Sequence, residues 1–419
     1  MAEFTPQASC ADINEPNTLN VSQAQQHILD HVTPINAWEN RPLRDSLNCH
    51  LHQAIVSPIQ VPPHNNSAMD GYAIRSADIS NSPFALTQVG TAFAGHHYQG
   101  SVQAGQCVRI MTGAMMPPEC DTVIMQEHVE VDAETITIHG EQLAGQHVRA
   151  AGEDIGTGDT LLESGHKITP ADLGLIASLG ISEVTVKRTL RVAFFSTGDE
   201  LRSIGQTLEA GQIYDSNRYT LYGMLTRLGA DIIDMGVVPD EKQALRDALQ
   251  LASEQADVVI TSGGVSVGDA DYVKEILTEL GQVSFWKIAM KPGRPLAFGK
   301  INDALFFGLP GNPVSVMVTF YQFVTPALQA LLGDSSYRNN TMQVNCVSPI
   351  RKRPGRFEFQ RGILFTNEDG HTEVKTTGEQ GSGILRSMSN ANCFILLEEQ
   401  CDGIKPNTTV TVQPFSGLI

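Results

Sequence analysis

Basic charge is what this chain of 419 residues has least of: Lys and Arg number 28 against 46 Asp and Glu, a formal net charge of −18. That balance opposes general attraction to nucleic acid or to an anionic membrane surface, so an anionic ligand must be met by a local cluster of cations. Cysteine is sparse as well. The seven cysteines are scattered from Cys10 to Cys401 with no CxxC pair, which argues against a zinc ribbon and a disulfide framework and makes a reducing cytoplasm the expected location. No window approaches 18 uninterrupted apolar residues, so no membrane span is expected. The N-terminal stretch MAEFTPQASCADINEPNTLN lacks a basic segment followed by an apolar one, and residues 1–18 are expected to be a disordered leader rather than a secretion signal. His50 and His52, the closest histidine pair, lie among no other ligand signals and are expected at the surface.

The remainder has the composition of a globular protein, long enough for two to four domains. Ser22-x-x-Gln25 resembles a capping box and predicts a helix over about 22–32; Leu47–Val56 is read as a second helix before the Pro62-Pro63 pair. From about 58 to 150 short β-like runs dominate, at Phe84–Val89, Gln106–Met111, Asp121–Met125 and Glu134–Ile138. Residues 151–189 return to mixed character, with Thr169-Pro170 starting a helix. The expected organisation is therefore a discontinuous domain of residues 19–57 and 151–189 carrying an inserted, mostly β module at 58–150. Residues 190–335 alternate strand and helix, which implies a mainly parallel sheet covered by helices on both faces. From 336 to 419 the pattern is β again, a barrel or sandwich. The fold class is multidomain α/β plus β.

The chemistry gathers around Thr261-Ser-Gly-Gly-Val-Ser-Val-Gly-Asp-Ala-Asp-Tyr272, where an apolar strand runs into a glycine-rich turn and then a helix expected to stop at Gly281. Gly263, Gly264 and Gly268 allow backbone N–H groups to approach an anion closely. Asp271 at the helix start can cap it or, beside Asp269, hold a cation next to a phosphate. The carboxyl ends of the other predicted strands carry Ser196-Thr-Gly-Asp-Glu200, Val238-Pro-Asp240, Lys287-Ile-Ala-Met-Lys-Pro-Gly-Arg-Pro295 and Leu309-Pro-Gly-Asn-Pro313. Ligands of open α/β sheets bind outside those ends. Lys287, Lys291 and Arg294 form a cationic patch, whereas Glu200, Asp240 and Asp271 would repel a bare polyanion; Mg²⁺ bridging carboxylate and phosphate removes the conflict. The rim is thus expected to bind a phosphorylated ligand with metal.

Seven segments in order resemble the molybdopterin molybdenumtransferase family, the bacterial insertases similar to the E domain of gephyrin. They are Asn66–Ala73, Arg109–Ala114, Gly152–Ile155, Phe195–Leu201, Ser262–Gly268, Lys291–Pro295 and Gly308–Pro313, and the resemblance covers the chain from about residue 20. It implies four domains in an elongated homodimer, with a molybdopterin-binding α/β domain, a mixed dimerisation domain and a C-terminal β-barrel. It also implies that molybdate is added to adenylylated molybdopterin with Mg²⁺-dependent release of AMP, in exchange with other molybdenum cofactor biosynthesis proteins. Carried over by position, Glu200, Asp240 and Asp271 look like acids and metal ligands of the active site, and Lys287 and Lys291 like lysines that meet phosphate or molybdate. Ser262, Gly263, Gly264, Ser266, Gly268, Arg294, Pro310, Asn312 and Pro313 would shape the ligand floor, and Ser382 would contact the ligand. Asp70 and Thr112 match positions that complete the cleft from the second subunit, although Asp70-Gly71 and Thr112-Gly113 read by themselves as turns. Within the resemblance the alternatives are a molybdopterin adenylyltransferase, which consumes ATP, and a gephyrin-like noncatalytic scaffold.

Overall fold

A computed structural model of the chain describes residues 18–264, 271–334 and 337–415. The chain divides into two compact units: the described parts of Met1–Glu39, Asn48–His52 and Val186–Ile419 in the first, and Asn40–Leu47 with Gln53–Thr185 in the second.

The first unit is built on a seven-stranded sheet. Its strands are β1 (Thr18–Leu19), β2 (Arg191–Thr197), β3 (Asp231–Val238), β4 (Val258–Ser262), β5 (Gly281–Ile288), β6 (Pro295–Ile301) and β7 (Ala304–Leu309), in spatial order β1-β5-β6-β7-β4-β2-β3. All contacts are parallel except those of β6, which runs antiparallel to both β5 and β7. β6 is absent from the sequence-based expectation because Pro295 and the preceding Lys-Pro-Gly-Arg read as loop. Two reversals leave β5 pointing the same way as β7, so their carboxyl ends share an edge.

Alternate residues explain why the strands are apolar without interruption. Val192 and Phe194 of β2 enter one core with Leu221, Leu225 and Phe307, whereas Ala193 and Phe195 enter another with Leu245, Leu249 and Phe306. Helices cover both faces: α1 (Val21–Asp30), α2 (Ser216–Arg227), α3 (Lys242–Gln255), α4 (Asp271–Leu280) and a long segment from Pro313 to Leu331. That last helix is long and apolar enough to span a membrane, but most of it is buried in the core. Its middle turn, Phe320–Val324, is a π-helix, and the wider turn lies where Pro326 cannot donate a hydrogen bond.

Several local expectations are corrected. The α1 capping box is formed by Asn20 and Gln23, two residues ahead of the predicted pair, because Asn20 Oδ1 accepts the Gln23 N–H at 2.8 Å. Residues 47–56 form turns and short β pairs instead of a helix. Leu51 is fully buried and bridges Val186, while the His50 carbonyl accepts the Lys187 N–H, so tertiary pairing overrides local propensity. His50 is consequently buried, with Nε2 at 2.9 Å from Gln329 Oε1, and His52 stacks on Trp38; neither is the plain surface residue expected. Helix α4 ends before Gly281, but Gly281 is the first residue of β5 rather than a left-handed stop. A Cβ there would come within 2.0 Å of the Lys300 carbonyl, so close strand approach is what requires glycine.

The chain ends in a closed five-stranded barrel of β8 (Met342–Cys346), β9 (Phe357–Thr366), β10 (Thr372–Thr376), β11 (Cys393–Leu397) and β12 (Thr408–Pro414), shut by pairing of β9 with β11. The second unit holds a six-stranded sheet drawn from Gly71–Ile74 through Thr135–Ile138 and a helix at Pro170–Ser178 with Thr169 and Asp172 as a capping box.

Candidate active site

The carboxyl edge of the first unit's sheet opens into a cleft of about 1010 Å³. Each wall is placed by backbone and side-chain bonds that the loops make with one another. After β2, Gly198 and Glu200 lead into the short strand Leu201–Arg202, which pairs with Ile213–Tyr214; the Glu200 carbonyl accepts the Ile213 N–H at 2.9 Å. Asp215 then caps α2 by accepting the Arg218 N–H at 3.1 Å. Asn217, in the first turn of that helix, donates Nδ2 to Ser262 Oγ at 2.8 Å and to the Gly311 carbonyl at 2.7 Å, joining the helix start, the end of β4 and the loop after β7. Beyond β3, Asp240 lines the cleft. Upstream of it, Arg218 Nε donates to both oxygens of Asp234, and Asp234 also accepts the Gly236 N–H, which holds the irregular end of β3.

The glycine turn follows β4. Gly263 has φ +95, its N–H meets the Leu309 carbonyl at 3.1 Å, and a Cβ would lie 2.5 Å from the Thr197 carbonyl, so no other residue fits that crossing without strain. Lys291 and Arg294 come from the loop between β5 and β6, which is closed by the Ile288 N–H donating to the Arg294 carbonyl. Pro310, Gly311, Asn312 and Pro313 follow β7. Asn312 precedes the helix without a side-chain cap; instead the Ser382 carbonyl of the barrel accepts the Val314 N–H at 3.1 Å. Arg356, Gln380, Gly381 and Ser382 complete the barrel wall. Behind them Arg361, 1% exposed, donates Nε to Ser387 Oγ and Nη2 to the Gly381 carbonyl, and burial lowers its pKa to about 10.

Glu200, Asp240, Ser262, Gly263, Gly264, Lys291, Arg294, Pro310, Asn312, Pro313 and Ser382 therefore line one cleft. Lys287 is half-buried in β5, paired with Thr18 and Pro295, and is not among the lining residues. Ser266, Gly268 and Asp269, and the side chain of Asp271, lie outside the described residues. Asp70 and Thr112 belong to the second unit, where they form a single clasp: Asp70 Oδ1 accepts the Thr112 N–H at 2.7 Å and its hydroxyl at 2.8 Å. Those two bonds, helped by nearby Arg109, hold the Asp70 carboxyl below the usual aspartate range. Sequence reasoning missed Asp215, Asn217, Arg356 and Gln380. The run Asp215-Ser-Asn217 ahead of an amphipathic helix was a cap signal that could have marked the first two.

Three family models match the chain: the MoeA N-terminal region (domain I and II) over residues 19–180, a probable molybdopterin binding domain over 193–330, and the MoeA C-terminal region (domain IV) over 343–415. The molybdopterin molybdenumtransferase of Haemophilus influenzae is 44% identical over 403 residues, covering 96% of this chain and 100% of that protein. Gephyrin of Dictyostelium discoideum is 35% identical across 92% of this chain and 60% of its own length. Among solved structures, the molybdopterin biosynthesis moeA protein of Pyrococcus horikoshii superposes with a TM-score of 0.83 at 28% identity, covering 95% of this chain and all of that one. The chain belongs to the molybdopterin molybdenumtransferase family.

Proposed function

We propose that this transferase inserts molybdate into the dithiolene of adenylylated molybdopterin and releases AMP as the pyrophosphate link is cut. The observation that carries the reading is the pairing of charge in one cleft: Glu200 and Asp240 line it together with Lys291, Arg294 and Arg356. The cations offset negative charge on the phosphates and on molybdate, and the Arg294 and Arg356 forks suit bidentate contact with oxyanions. Relatives from Haemophilus influenzae and Nostoc are named molybdopterin molybdenumtransferase.

The donor chemistry fits Mg²⁺. Glu200 and Asp240 are hard oxygen donors on the cleft wall, and Asp271 is proposed to join them. Mg²⁺ keeps several waters and takes phosphate oxygens as ligands, so one or two carboxylates from the protein are enough to hold it. Bound there, Mg²⁺ would neutralise phosphate charge and orient the pyrophosphate. Gly263 and Gly264 bring backbone close to the ligand, and Asn312, Pro310, Pro313 and Ser382 bound its space. Lys287 is proposed to act from the base of the Lys291 loop, and Asp70 with Thr112 as a second functional pair.

We further propose a four-domain homodimer in the cytoplasm that exchanges cofactor with other proteins of the pathway. Exposed Ile204, Leu208, Tyr219 and Tyr222, all within residues 204–222, support self-association, and the six described cysteines, all free, suit a reducing compartment. The test is incubation of the full chain with adenylylated molybdopterin, molybdate and Mg²⁺, following AMP. Molybdate-dependent AMP release is expected. ATP consumption in its place would assign an adenylyltransferase, and absence of turnover with tight binding of a partner protein a scaffold.

A further inference from the structure

Glu358 is a buried acid outside the cleft, 6% exposed and contributed by barrel strand β9. A carboxylate removed from water is costly unless hydrogen bonds and an opposite charge replace its hydration. Two groups meet it. Gln360, two residues along and hence on the same face of the strand, donates Nε2 to Glu358 Oε2 at 2.8 Å. Lys291 places Nζ 3.9 Å from Glu358 Oε1.

The two members of that ion pair differ in surroundings. The Lys291 side chain is 55% exposed and lines the cleft, whereas that of Glu358 is 8% exposed. Backbone register sets their approach: Met290–Lys291 runs as a short parallel strand beside β9, with Met290 opposite Phe357 and Lys291 opposite Glu358, and the Phe357 N–H donates to the Ala289 carbonyl at 2.8 Å. A lysine ammonium on a flexible four-carbon stem has many rotamers, so an exposed one samples many positions. A fixed buried anion narrows that range for a side chain that lines the cleft.

We propose that Glu358 is a positioning residue for Lys291, and that through this pair a barrel side chain that does not itself line the cleft governs turnover. The proposal rests on the reading of Lys291 as the cation that meets the substrate's phosphate or molybdate oxygens. Glu358→Gln removes the charge at nearly constant shape and keeps a hydrogen-bonding group for Gln360; Glu358→Asp keeps the charge but draws it back by one methylene.

The experiment is a double-mutant cycle on the full chain with Lys291→Gln, reading kcat and KM for molybdate-dependent AMP release and, by calorimetry, affinity for inorganic pyrophosphate. Glu358→Gln is expected to lower kcat about ten-fold while changing KM by less than about three-fold, with Glu358→Asp intermediate. In the Lys291→Gln background the same change is expected to alter kcat by less than about two-fold. Wild-type kcat in Glu358→Gln, or a loss that multiplies in full with that of Lys291→Gln, overturns the proposal; a purely structural role lowers the melting temperature and gives that multiplicative result. If Glu358→Gln does not fold, Gln360→Leu, which removes the brace on Oε2, enters the cycle in its place under the same criteria. Wild-type turnover and pyrophosphate affinity in Lys291→Gln would overturn both this proposal and the reading of the cleft. A large loss in Lys291→Gln with independent behaviour at position 358 would overturn this proposal alone.

Discussion

Asn217 is the side chain whose removal best tests whether the rim acts as one assembly. It is 8% exposed, and one amide nitrogen reaches both Ser262 Oγ and the Gly311 carbonyl, tying the start of α2 to the end of β4 and the loop after β7. Asn217→Ala deletes both bonds. At about 1 kcal/mol for each neutral hydrogen bond, plus part of the penalty for a carbonyl left without its donor, the expected loss is about 2–3 kcal/mol. For a unit of this size that lowers the melting temperature by about 3–6 °C. Function is expected to suffer more than stability, because loops released by about 1 Å misalign groups that must act together, and kcat/KM for AMP release is expected to fall about 100-fold. Asn217→Asp is the sharper comparison: it preserves volume but sets a carboxylate oxygen against the Gly311 carbonyl, and is expected to be at least as damaging as alanine. Calorimetric melting and the AMP assay on the same preparations decide the matter. A melting temperature within about 1 °C of wild type and kcat/KM within about two-fold, in both variants, would refute the claim that Asn217 holds the rim together.

Three further outcomes follow from other parts of the molecule. Gly263→Ala, forced into φ +95 with its Cβ against the Thr197 carbonyl, is expected to cost about 2–4 kcal/mol and to lower AMP release, checked by melting and turnover. Asp257 accepts two bonds from Arg188 and one from the Arg191 N–H; burial alone would push its pKa up, but these partners outweigh it and hold the carboxyl below the usual range. A depressed folded-state pKa stabilises above the unfolded value, near 3.9, and the contribution is lost as pH falls through the folded value. Asp257→Asn is therefore expected to lower the melting temperature by about 3–6 °C at pH 7, from a loss of about 2–3 kcal/mol, with the difference from wild type shrinking below about pH 4. Thr112→Val removes one of the two bonds to the exposed Asp70 carboxylate, and its pKa, followed by carbon NMR, is expected to move up toward the ordinary aspartate value; an unchanged titration would show that the backbone N–H alone sets it.

Much of the architecture was legible because it is local. Uninterrupted apolar runs at Arg191–Ser196 and Asp257–Thr261, each followed by a helical period, specify strands covered on both faces, and a strand buried on both faces must release its polar and glycine residues at its ends. That logic reaches Glu200, Asp240, Gly263, Lys291 and Asn312 one loop at a time. It did not reach β6, which with its opening Pro295 and the preceding Lys-Pro-Gly-Arg reads as loop until β5 and β7 supply antiparallel partners, nor residues 47–56, whose helical pattern yields to pairing with Val186 and Lys187. Asn217, Arg356 and Gln380 belong to the cleft only because distant segments fold against one another, and the same is true of Glu358 beside Lys291. Residue type and spacing set which groups could meet an oxyanion and on which edge of the sheet. Which of them stand within hydrogen-bonding reach was decided by tertiary pairing, because a contact between residues tens to hundreds of positions apart depends on strand order and register rather than on any local period.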